Sequence, residues 1–132
     1  MAPFVDPVAI AQFFVCCFFA VLFLQSGFDK VFDFNGNLSW MQPHFAQSPF
    51  RNKVPMLLAL MMVLEVAAGA ASGLGAVMLL FGHKNWAVIG LGLCCLAFVN
   101  LFAGQRISKD YEGAVSIATY FGVALIGLIL LG

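Results

Sequence analysis

The sequence predicts an all-α membrane protein, with four transmembrane helices in an up-down-up-down bundle and a long aromatic first loop. Three observations lead there. Of 132 residues, 63% are hydrophobic and 9% charged, against about 45–50% and 25% in soluble globular domains. Four apolar runs, at residues 8–28, 55–81, 86–104 and 113–131, are each long enough for a ~30 Å hydrocarbon core at ~1.5 Å per helical residue. Two of the three connections are short, which makes the helices they join antiparallel neighbours. The whole chain, 1–132, is read as one transmembrane domain. With six basic and six acidic residues, net charge is zero, so neither nucleic acid nor a basic surface patch is indicated.

The first span begins near Val8, with Pro7 suited to a first helical turn where no internal donor is lost. The segment before it lacks Lys and Arg, and no small-residue cleavage site follows the apolar run, so the span is expected to be retained rather than removed as a signal peptide. Only Gln12, Gln25 and Ser26 interrupt it before polar chemistry starts at Asp29 and Lys30. Asn35-Gly36 is a turn signal, and Phe32, Phe34, Trp40, Phe45 and Phe50 alternate with polar residues as at a membrane interface. A short flat helix at residues 38–41 fits there. The segment reads either as an aromatic-anchored loop or as a lid over a site.

The second span carries one carboxylate, Glu65, ten residues beyond Pro55. That is ~15 Å along a helix, near mid-membrane. A charge at that depth costs about 2.5–3.5 kcal/mol on insertion scales, so Glu65 needs a partner, a proton or water. Helical spacing places Leu58, Met61, Met62, Glu65, Ala68, Gly69, Ser72 and Ala76 on one inward face. Its small residues allow close helix approach, within the chain or with a protein partner or second copy. A short turn at Gly82-His83-Lys84-Asn85 precedes the third span, anchored by Trp86, and Gly113 opens the fourth.

This topology gathers most polar residues at one membrane face. The candidates for a pocket ending at Glu65 are Ser26, Asp29, Lys30, Asn100, Arg106, Tyr111 and Tyr120, with Lys30 or Arg106 as counter-charge. The alternative is that these residues cap and snorkel while a protonated Glu65 sits in a helix contact. Cys16-Cys17 and Cys94-Cys95 lie at similar depth, which leaves an inter-helix disulfide open, although intramembrane cysteines ordinarily pack as small apolar residues. Their spacing is neither that of dithiol redox sites nor that of zinc sites, so no metal is expected. His44 and His83 fall on opposite faces, against a bis-histidine haem.

Ser26-Gly27-x-x-Lys30 at the end of the first span, with Glu65 and Gly69 four apart in the second, resembles the DoxX-like family of small four-helix membrane proteins. The resemblance spans essentially the whole chain. It implies an accessory subunit of a respiratory or sulfur-oxidising redox complex in the bacterial cytoplasmic membrane, with a quinone or proton pocket at Glu65. Such a subunit would be non-catalytic; as an enzyme it would be a quinone-linked oxidoreductase, with no covalent cofactor. The family also includes an assembly chaperone, which keeps a scaffold role open. Four helices without an internal repeat speak against a monomeric channel or transporter.

Orientation draws two opposed expectations. Lys30, Arg51, Lys53, Arg106 and Lys109 share the face of the first and third loops, and Lys84 alone marks the other. The positive-inside rule then places both termini outside, whereas the resemblance implies cytoplasmic termini.

Overall fold

The computed structural model describes residues 6–46 and 52–132, the side chain of His44 excepted. Phe50 and Arg51, which entered the aromatic and charge patterns above, lie outside the described residues. The described chain forms five helices: α1 (Pro7–Phe32), α2 (Phe34–Phe45), α3 (Val54–Leu80), α4 (Asn85–Ile107) and α5 (Tyr111–Leu131). All but α2 are long and apolar enough to cross a membrane. Large apolar side chains such as Val21, Val63, Val115 and Ile129 are exposed on their outer faces. In water such a surface would aggregate; facing lipid tails it carries no penalty. The protein is an all-α, four-helix membrane protein.

Local chemistry sets the helix ends. Asp6 caps α1, its Oδ1 accepting from Val8 N at 3.1 Å, and Pro7 follows in the first turn. Helix α1 continues past the expected end at residue 28, because Lys30 is satisfied inside the bundle rather than by water. Asp33 ends α1 and caps α2, its Oδ1 accepting from Gly36 N at 3.3 Å. Asn35-Gly36 therefore lies in the first turn of a helix rather than in a reverse turn, and α2 runs to 12 residues instead of the expected four-residue piece at 38–41. Asp110, not Gly113, opens α5; the residue-113 amide donates to Asp110 Oδ1 at 3.2 Å. At the opposite membrane face, Gln12 Nε2 and Lys84 Nζ donate to the last carbonyls of α5, Leu130 O at 2.7 Å and Leu131 O at 2.9 Å.

Small residues determine how the spans pack. A Cβ on Gly27 would stand 3.1 Å from Val66 N, and one on Gly69 would stand 2.8 Å from Leu24 N; Gly73 faces Ala20. On the other side of α3, a Cβ on Gly75 would meet Ala87 Cα at 2.6 Å, and one on Gly90 would meet Ser72 N at 2.6 Å. The small face of α3 is thus used within the bundle, where α1 and α4 approach it backbone to backbone. Phe19, Phe23 and Phe98 fill the buried centre together with Leu91, Cys16 and Cys94. All four cysteines are free, and Cys94 Sγ lies 3.4 Å from Ser72 Oγ.

The same pairings fix the register, and the register leaves a gap. With Gly27 opposite Val66 and Leu24 opposite Gly69, Phe32 at the end of α1 is level with Met61. Helix α3 extends seven residues further, to Val54, and α4 ends near that same level because Gly90 is opposite Ser72. Helix α1 therefore stops about 10 Å short of its neighbours. Helix α2 occupies part of the missing length. Because its N-terminal turn is fastened by Asp33, Asp33→Ala is expected to loosen α2 by about 1 kcal/mol. Hydrogen exchange would show this as faster exchange of the α2 amides with α3–α5 unchanged; acceleration throughout the bundle would contradict it.

Candidate functional site

The close approach at Gly27 and Gly69 carries the Ser26–Lys30 face of α1 against α3 at Glu65. Ser26 and Lys30 are one helical turn apart and lie on one face. Lys30 Nζ is 2.9 Å from Glu65 Oε1 and donates to Oε2 at 3.2 Å. It also donates to Ser26 Oγ at 2.9 Å. The Glu65 side chain is 1% exposed and that of Lys30 14%. Oε1 receives no aligned hydrogen bond from any described group, and among the described residues Lys30 is the cation that compensates this carboxylate. A buried ion pair adds little net stability over an apolar replacement of equal volume, but losing one partner strands the other.

Above the pair, in the length that α1 leaves open, is a cavity of about 540 Å³. That is within the range of small-molecule sites, roughly 300–1,000 Å³. Leu57, Leu60, Met61 and Leu64 of α3 form one wall, and Leu101, Ala103 and Gly104 of α4 another. Trp40, Met41 and Phe45 of α2 cover it. Lys30 lines the cavity while Glu65 does not, so the ammonium stands between the space and the carboxylate. The remaining polar lining is Asn37, Asn100, Gln105, Ser108 and Asp110. A mostly apolar chamber with a few polar groups at its membrane-face end suits an amphipathic molecule.

Of the residues singled out from sequence, Ser26, Lys30 and Glu65 form one cluster, and Asn100 lies on the cavity wall. Arg106 is not the counter-charge of Glu65; its guanidinium stacks over the Tyr111 ring, 4.8 Å from the centroid. Asp29 is exposed and accepts from Asn37 Nδ2 at 3.2 Å, tying α1 to α2. Tyr120 belongs to the aromatic core, its ring 6.0 Å from that of Phe98 and 6.1 Å from that of Phe18. The pocket therefore takes shape against α2, α3 and α4, with Asn37 and Ser108 as polar lining that the sequence did not suggest, beside Gln105 and Asp110 from the polar face of the third and fourth spans. The aromatic spacing of residues 32–45 was the available signal for the cover.

No family model, curated protein or solved structure was found to match this chain.

Proposed function

We propose that the protein is a membrane-embedded, non-catalytic subunit of a quinone-linked redox complex, of the DoxX-like kind, and that its cavity holds the ring end of a quinone-type molecule. The observation that supports this reading is the 540 Å³ chamber itself, apolar on three sides and bordered by Lys30 at the buried ion pair. A ring with two oxygens and an isoprenoid tail is apolar enough for the walls and polar enough for that end. The convergence of Ser26, Lys30 and Glu65, the residues on which the resemblance rests, adds support. The excess of basic residues around the first and third loops supports a cytoplasmic cavity end with both termini outside, against the cytoplasmic termini that the resemblance implies. An assembly-factor role is the alternative: Gly92 and Gly122 have open space in front of them, where a partner helix could approach.

Mild purification from native membranes, followed by mass spectrometry of the intact assembly, tests the reading. The expected result is a redox-active partner subunit together with a quinone or quinol that is lost in a Leu64→Trp variant, which fills the cavity. A stable partner with phospholipid alone would favour assembly over redox function, and would overturn the quinone assignment.

A further inference from the structure

We propose that the cavity is a site for a weak acid, whose anion is held at Lys30 while one proton is held on Glu65. For a quinone-type ring this means a head group with an ionisable hydroxyl, a hydroxyquinone. The inference rests on the reading of the cavity as a quinone-type site and names the form of the ring it takes.

The charged lining is asymmetric. Lys30 borders the cavity with 14% of its side chain exposed, whereas Glu65, at 1%, is withheld from it. The ion pair therefore presents its positive end to the space. A lysine ammonium acts as a point charge, so this does not depend on which N–H bond is turned toward a ligand. Asp110, the other charged residue of the lining, is remote. The pairings of Gly27 with Val66 and of Gly90 with Ser72 set Lys30 level with Val63 and Val99, more than ~10 Å from the end of α4 at Ile107, beyond which Asp110 caps α5.

Around Glu65, the described residues offer no second charge. It is the one charged residue of α3. At its level, two turns from the Gly90–Ser72 contact, α4 contributes Ala97 and Phe98, with Cys94 one turn away against Ser72 and Arg106 engaged with Tyr111. Tyr120 of α5 stacks on Phe98. Helix α2 contains no Asp, Glu, Lys or Arg, and the side chain of His44 lies outside the described residues. On α1 the nearest other charge is Asp29, exposed and bonded to Asn37.

While Glu65 is ionised the pair is neutral, and a ligand anion would have to share one ammonium with a buried carboxylate. A proton on Glu65 removes that repulsion and turns the pair into a net cation beside the cavity. Anion and proton therefore bind cooperatively, each raising the affinity for the other by the same factor. An acid that enters in its neutral form delivers both. Its O–H bond breaks, the electron pair stays on the ligand oxygen, and the proton passes through Lys30, which gives one of its own to Glu65 and so remains an ammonium.

Calorimetric titration of the detergent-solubilised wild-type protein near neutral pH, in two buffers of different ionisation enthalpy, tests this. The probes are 2-hydroxy-1,4-naphthoquinone, an anion in solution at that pH, and its uncharged methyl ether. The expected result is uptake of one proton per hydroxyquinone bound and none for the ether, an apparent affinity for the hydroxyquinone that falls about tenfold per unit rise in pH, and a bound ligand that keeps the visible spectrum of its anion. In Glu65→Gln the proton uptake and the pH dependence should both vanish; the wild-type readouts decide the matter by themselves if that variant does not fold. Binding of both probes without proton uptake, unchanged uptake in Glu65→Gln, or the spectrum of the neutral acid would each overturn the proposal and leave the cavity a ring site. Binding of neither probe would overturn the ring-site reading with it.

Discussion

Lys30→Met is expected to destabilise the bundle by about 3–5 kcal/mol, because it leaves the Glu65 carboxylate, 1% exposed, with no counter-charge among the described residues. Glu65→Gln should cost less, roughly 1–3 kcal/mol. The amide oxygen can still accept from the ammonium, and Lys30 borders the cavity, so it can turn toward solvent there. The order of the two effects follows from geometry: the partner with an exit tolerates the loss of the other. Combining both changes should recover part of the Lys30→Met loss, with a coupling of about 1–3 kcal/mol. Reversible unfolding in mixed micelles measures all three. A cost below 1 kcal/mol for Lys30→Met, or strict additivity, would show that the pair contributes nothing as a pair.

Glycine substitutions in α4 should differ in sign two residues apart. A methyl group on Gly90 would press on Ser72 N at 2.6 Å and Ser72 Cα at 2.7 Å. Both are backbone atoms of a packed helix, so α3 and α4 must separate, at a cost of about 1–3 kcal/mol. Gly92 meets nothing within 4 Å, so Gly92→Ala should stabilise by about 0.5–1 kcal/mol through helix propensity alone. The same unfolding assay discriminates them. Equal effects at both positions would mean that the α3–α4 contact is looser than its geometry.

These contrasts show what was legible in the chain. Glu65 stood out because a lone carboxylate in an apolar span demands compensation, and Lys30, a cation at the end of the first span, offered it. The four spans followed from composition and length. Arg106 could not be separated from Lys30 by that logic: both are cations at a span end on one membrane face, and only the α1–α3 register decides which one reaches Glu65. Helix α2 was obscured for a different reason. Asn35-Gly36 ordinarily closes a turn, and the cap supplied by Asp33 turns the same pair into a helix start. A pocket was expected at this membrane face and the segment could be read as its lid, but with the helix confined to 38–41 the polar lining at Asn37 could not be placed.

The shortness of α1 also bears on kinetics. The helix-to-helix registers that hold the bundle run through Gly27, Gly69, Gly75 and Gly90, and none of them passes through α2. Releasing α2 therefore exposes the chamber without separating any pair of spanning helices. Opening is thereby separated from bundle unfolding: the docking free energy of one 12-residue helix, whose Trp40, Met41 and Phe45 also line the chamber, sets how often the chamber is uncovered. Such opening is a local event, whose frequency the global stability of the bundle does not limit.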